Sequence, residues 1–182
     1  MTDNIQAPLA ERMRPRTLAN YIGQQHLVGK GKVLEQMIQN SKAHSIIFWG
    51  PPGVGKTTLA QIIAHSLEMQ IFSLSAIDSG VKEVRSVIDA AKKLGHALLF
   101  IDEIHRFNKA QQDSLLGAVE KGIVTLIGAT TENPSFEVIG ALLSRCQVYV
   151  LQPLTEDELK EMVNQALEQD EWIMPLHRNL GV

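Results

Sequence analysis

The chain has one cysteine, Cys146, in 182 residues, so no internal disulfide can form. Such usage fits a reducing compartment. No apolar run approaches the ~20 residues that a membrane-spanning helix needs, the longest clear one being residues 97–101. The N-terminal stretch carries Asp3 and Glu11 and has no apolar core of a secretory signal. A cytoplasmic protein without a membrane partner is the expectation. An excess of one charge is also lacking, the net being −3 with 20% charged residues. Composition therefore does not point to nucleic acid or membrane, and any contact with DNA must rest on a local patch. The histidines (positions 26, 44, 65, 96, 105 and 177) are scattered, with no i,i+4 pair and no cysteine nearby, so a zinc site is not expected. Internal repeats and low-complexity segments are absent too. The length suits one well-filled domain.

The chain does contain Ser45-Ile46-Ile47-Phe48-Trp49-Gly50-Pro51-Pro52-Gly53-Val54-Gly55-Lys56-Thr57-Thr58. This reads as an apolar strand, a glycine-rich turn and the start of a helix. Gly50, Gly55, Lys56 and Thr57 match the P-loop pattern G-x-x-x-x-G-K-[ST]. A turn with few side chains lets backbone N–H groups converge on an anion, and the following helix adds the positive end of its dipole. Lys56 can reach β- and γ-phosphates, and the Thr57 hydroxyl is placed to ligate Mg²⁺. At average residue usage the pattern arises by chance in about 0.6% of chains this long. Leu59, Ile62, Ile63 and Leu67 then share one face of a helix. A phosphate site is preferred to a structural turn.

Around that site strands and helices alternate. Residues 1–8 read as a disordered lead, and Arg14-Pro15-Arg16 as extended chain, since a residue before proline avoids the helical region. A helix is expected over residues 32–40, with Val33, Met37 and Ile38 on its buried side. Residues 70–76 read as a second strand, followed by a helix from Val81 that Gly95 closes. Residues 97–103 form an unbroken apolar strand ending in Asp102 and Glu103, the pattern of a strand buried on both faces. Asn108 can cap a helix over residues 109–121. A fourth strand covers residues 123–131, a short helix 138–143 and a fifth strand 147–151. Thr155 and Glu158 make a capping box for a helix with Leu159, Met162, Val163, Ala166 and Leu167 inward. The pattern predicts an α/β fold, a parallel five-stranded sheet between two layers of helices. Ligands of such sheets bind at the carboxyl ends of the strands, where Lys56, Asp102, Glu103 and Thr130 all fall.

Two adjacent acids at a strand exit can face different ways and do different work. Asp102 would hold Mg²⁺, through water, and Glu103 would polarise an attacking water, a role worth ~10²–10⁴-fold. Thr130 or Thr131 can orient that water or touch the γ-phosphate; the spacing leaves both open. Arg145 stands at the mouth of the fifth strand, where a lone arginine is ordinarily a surface charge.

Together, residues 50–57, residues 98–103, Gly128-Ala129-Thr130-Thr131 and Ser144-Arg145-Cys146 resemble the nucleotide-site motifs of AAA+ ATPases of the clamp-loader clade. More narrowly, residues 103–113 and 127–136 resemble the family of replication-associated recombination protein A and the Werner-helicase-interacting ATPase. The likeness covers roughly residues 7–169. It implies ATP with Mg²⁺ as ligands and a P-loop NTPase three-layer sandwich over residues 1–153. Residues 154–182 would be the first helix of an incomplete lid with an unassigned tail. It also implies that Arg14-Pro15 and Ile22-Gly23-Gln24 frame the adenine, that Thr130 is the sensor residue with Thr131 second, and that Arg145 is an arginine finger acting on a neighbouring subunit of a homo-oligomer. DNA, forked, gapped or single-stranded, is the implied partner, and other replication proteins could join it. In clamp-loader relatives the helix after the second strand faces DNA, which here would give Lys82 and Arg85 to phosphates.

The chain departs from the family where a helical lid should continue, because one lid helix opens and the sequence ends at Val182. The expectation is therefore nucleotide binding with weak assembly and slow DNA-dependent hydrolysis, and the alternative is a catalytically weak nucleotide-binding and assembly module. A protein-threading unfoldase is disfavoured because Ala76-Ile77-Asp78-Ser79-Gly80 offers no aromatic pore residue. A small-molecule kinase would leave Arg145 and the Arg14-Pro15 segment without work.

Overall fold

Five short apolar segments pair side by side in a computed structural model that describes residues 7–175. They are β1 (Ile46–Trp49), β2 (Ile71–Ser75), β3 (Ala97–Asp102), β4 (Val124–Thr130) and β5 (Gln147–Val150). All pairings are parallel, in the order β2-β3-β4-β1-β5. The helices are α1 (Leu9–Arg12), α2 (Gln25–Val28), α3 (Val33–Gln39), α4 (Lys56–Ser66), α5 (Val81–Leu94), α6 (Lys109–Glu120), α7 (Pro134–Glu137), α8 (Gly140–Leu143) and α9 (Glu156–Gln169).

The pleat of the sheet sorts its side chains into two cores. Leu98, Phe100, Ile127 and Ala129 pack with Leu34 and Met37 of α3 and with Leu59, Ile62 and Ile63 of α4. The alternate residues, among them Leu99, Ile101 and Leu126, pack with Val84 and Ile88 of α5, Leu115 of α6 and Leu142 of α8. Burial on both faces is why β3 reads as an unbroken apolar run. The result is the expected three-layer α/β sandwich. Asn108 caps α6 as anticipated, its side chain accepting the Gln111 N–H at 3.0 Å. Thr155 and Glu158 form their capping box at the start of α9.

Two expectations need correction. The short helix starts at Gly140 rather than residue 138, because Asn133 and Pro134 open a separate single turn, α7, which leaves Val138 extended. The apolar stripe of α9 does not face inward: no residue of this helix is buried, and Leu159, Met162 and Val163 are 49%, 45% and 57% exposed. The periodicity correctly specified a helix, but among the described residues nothing lies opposite most of that stripe. The anticipated lead at residues 1–8 and the end of the unassigned tail fall largely outside the described residues.

Candidate nucleotide site

After Trp49 the chain leaves β1, turns through residues 50–55 and enters α4 at Lys56. Gly55 has φ +94°, and a Cβ there would run into the Tyr21 hydroxyl and ring. Tyr21 is buried and donates its hydroxyl to the Val54 carbonyl at 2.8 Å, so an aromatic from the N-terminal segment braces the loop. Burial, helped by Glu158, holds that phenol protonated well above its usual range. The Lys56 ammonium donates to the carbonyls of Gly50 and Pro51 at 2.7 and 2.8 Å. Desolvation pulls its pKa down, which Glu103 and then Asp102 partly offset. Arg14 hydrogen-bonds the Thr58 hydroxyl at 3.0 Å and pairs with Glu11.

Sheet order brings the acids to this loop. Pro52, Gly53, Gly55, Lys56, Thr57, Thr58, Arg14, Asp102 and Glu103 line one cleft, although the acids come from β3, two strands away from β1. Glu103 sits in the left-handed region (φ +55°), a conformation that non-glycine residues adopt mostly where surrounding structure imposes it, often at functional sites. Its N–H approaches the Asp102 carboxylate at 3.1 Å. Ile104 then packs against Gly128, where a Cβ would lie 2.7 Å from Ile47 and 3.0 Å from Ile104. A glycine in β4 thus lets the turn after β3 settle on the sheet.

Of the two threonines at the end of β4, Thr130 is fully buried and Thr131 half-buried. Thr130 is the register partner of Trp49, and its carbonyl accepts the Gly50 N–H at 3.1 Å. Since β4 lies between β1 and β3, Thr130 stands between the strand that carries the loop and the strand that carries the acids. Its hydroxyl lies 3.0 Å from His105 Nδ1, and His105 Nε2 lies 3.2 Å from the Glu103 carboxylate. The sequence assigned His105 no place in the site. Its only signal was its position two residues after Glu103.

Beside the loop a second cleft is lined by Met13, Arg14, Pro15, Tyr21, Ile22, Val54, Leu154 and Met162, an apolar slot suited to a flat base. Gly23 lies instead on a neighbouring groove with Glu158 and Glu161, and a Cβ there would meet Leu154 at 2.6 Å. Its contribution is to let the segment before α9 approach. Gln24 secures that segment by two hydrogen bonds to the Gln152 backbone, at 2.7 and 2.9 Å. Beyond α9, Asp170 receives Arg12 in a two-pronged pair (2.7 and 3.0 Å), which holds its carboxyl near pKa 2. The apolar slot is walled by the N-terminal segment, the loop before α4, and Leu154, Met162 and Gln165.

Thr57 and Asp102 offer hard oxygens in the same cleft as Lys56. Mg²⁺ retains several waters and takes one or two protein oxygens with its phosphates, so this donor set fits it. The absence, among the described residues, of a cluster of three potential metal-binding side chains is no obstacle.

The remaining candidates lie apart from this cleft. Arg145 precedes β5, whose first residue pairs with the first residue of β1, so it stands at the opposite end of the sheet from the loop. Four strand residues at ~3.3 Å each separate the two levels. Its guanidinium is exposed and ion-paired with Glu120, and donates to the Ala141 carbonyl. Lys82 and Arg85 are exposed on α5. At that helix end Glu83 accepts the N–H of the capping Gly80 at 2.9 Å. No helix among the described residues is long and apolar enough to cross a membrane.

Residues 13–145 match the family described as the P-loop domain of the Holliday junction DNA helicase RuvB. The chain belongs to that family. The replication-associated recombination proteins A of Haemophilus influenzae and Escherichia coli are 53% and 52% identical over 91% and 92% of this chain. The ATPase WRNIP1 of Dictyostelium discoideum is 51% identical over 89%. The chain spans 38% of the length of the two bacterial relatives and 19% of the third. Among solved structures, Thermotoga maritima RuvB, a Holliday junction branch migration motor, superposes with a TM-score of 0.72 at 34% identity, covering 86% of this chain and 54% of that one. The resemblance to clamp-loader-type AAA+ ATPases, and to the replication-associated recombination protein A family in particular, is thereby established, and so is the P-loop fold.

Proposed function

We propose that this RuvB-type domain binds ATP with Mg²⁺ and hydrolyses it in a DNA-stimulated assembly serving replication-associated recombination in the cytoplasm. What carries the reading is the meeting of Lys56, Thr57, Asp102 and Glu103 in one cleft from two separated strands. The apolar slot takes the adenine between Pro15, Ile22 and Met162, and the loop N–H groups with Lys56 take the phosphates. Thr57 and Asp102 would hold Mg²⁺, which when bound neutralises charge on the β- and γ-phosphate oxygens. Glu103 draws a proton from the water that attacks the γ-phosphorus, and the Thr130 hydroxyl orients the phosphate or that water. Arg145 reaches the nucleotide of a neighbouring copy.

Steady-state hydrolysis with and without forked or gapped DNA, at two salt concentrations, tests this. Stimulation that fades with salt is expected, and its complete absence would remove DNA from the account. Lys82→Ala with Arg85→Ala should weaken DNA binding equally across sequences and flatten the plot of log affinity against log salt. Each lost phosphate contact should remove about one unit of slope. An unchanged slope would move the DNA surface elsewhere, with His105-Arg106-Phe107-Asn108-Lys109 next to be examined.

A further inference from the structure

The imidazole of His105 bridges two residues that the proposed reaction uses separately. Nε2 lies 3.2 Å from Glu103 Oε2 and Nδ1 lies 3.0 Å from Thr130 Oγ1, with the ring largely shielded from solvent. A neutral imidazole has one donor nitrogen and one acceptor nitrogen, and an ionised carboxylate can only accept. For a neutral ring, Nε2 is then the nitrogen whose hydrogen faces the Glu103 carboxylate. Nδ1 is then the acceptor, and the Thr130 hydroxyl is the group that donates to it. That hydroxyl has a single hydrogen and a second acceptor within reach, the Glu132 carbonyl at 3.1 Å, while it accepts the Glu132 N–H at 3.0 Å. A bound γ-phosphate would be a third claimant.

We propose that His105 is a positioning residue that couples Thr130 to Glu103. It holds one oxygen of the Glu103 carboxylate and leaves the other free for the proton of the attacking water. Its tautomer, and so its hold, depends on where Thr130 directs its hydrogen. The left-handed backbone at Glu103 and the seat of Ile104 on Gly128 fix the turn that makes this bridge possible. A γ-phosphate that draws the Thr130 hydroxyl away removes the donor from Nδ1, so occupancy at the sensor is transmitted to the base through one ring. This rests on Glu103 being the base, and the test is arranged to separate the two ideas.

Single-turnover hydrolysis and calorimetric ATP affinity would be measured for the 182-residue chain with His105→Phe, His105→Gln, Thr130→Val, Glu103→Gln and the His105→Phe/Thr130→Val pair. His105→Phe should lower the chemical rate by ~10–10²-fold, within the span of general-base effects, with little change in affinity. His105→Gln, whose amide can donate to Glu103 and accept from Thr130, should recover part of the loss. The double variant should be no slower than the worse single one, because coupled residues are not additive. If Glu103→Gln is slow but His105→Phe keeps the full rate, the coupling is wrong while the base assignment survives. If Glu103→Gln keeps the full rate, the base assignment itself falls. Nitrogen NMR of the histidine-labelled chain decides the matter even where turnover is too slow to compare. The signal lost in His105→Gln should show the Nε2–H tautomer and should shift at Nδ1 in Thr130→Val. An Nδ1–H tautomer, or a signal indifferent to Thr130→Val, would overturn the proposal.

Discussion

Replacing Arg145 with alanine is expected to slow hydrolysis by ~10³-fold or more, the scale of an arginine finger, while nucleotide affinity stays close to that of the parent. The reason is positional. Arg145 sits before β5 at the far end of the sheet from its own phosphate loop, so its cation can meet developing charge on a γ-phosphate only across an interface between copies. Its present partner, Glu120, is exposed, as is Arg145 itself. Exposed pairs are worth ~0–1 kcal/mol, so this one is readily exchanged for a phosphate. Activity should then rise more steeply than linearly with protein concentration. Mixing Arg145→Ala with Lys56→Ala should restore part of the turnover, because one copy supplies the finger and the other the site. Strict proportionality between rate and concentration, with no recovery on mixing, would return Arg145 to the status of a surface charge.

Glu103→Gln should bind ATP as the parent does and hydrolyse it at least ~10²-fold more slowly, because an amide cannot take the proton of the attacking water. Glutamine keeps the size of the side chain and can still meet His105, so lost shape does not explain such a fall. The comparison with Asp102→Asn is informative. That change should make both affinity and rate dependent on high Mg²⁺ concentration, whereas Glu103→Gln should not respond to added Mg²⁺. Equal responses would mean that the two acids share one role.

Local patterns carried much of this account. The loop from Gly50 to Thr57, the apolar run into Asp102, and the caps at Asn108 and Thr155 are contiguous signals, and each element lies within a few residues of where it was expected. Which strand neighbours which is a long-range property, and it was not legible. The insertion of β4 between β1 and β3 places Thr130, fully buried where Thr131 is half-buried, between the loop strand and the acid strand. The His105 bridge depends on a left-handed turn that no propensity of glutamate would suggest. Gly23, expected to frame the adenine, also makes room for Leu154, a close approach that residue spacing cannot reveal. The α9 stripe failed differently. Its periodicity correctly specified a helix, but periodicity cannot say whether anything covers the apolar side.

All of these readings depend on one claim, that residues 50–57 with Arg14, Pro15 and Ile22 form the ATP site. Isothermal titration of ATP with Mg²⁺ into the chain and into its Lys56→Ala variant tests it most directly. Lys56 is the one cation set in the loop itself, held on the carbonyls of Gly50 and Pro51. Two charge-assisted contacts to phosphate are worth roughly 3 kcal/mol or more together, so the variant should bind at least ~10²-fold more weakly. Equal affinity in the two proteins would contradict the account.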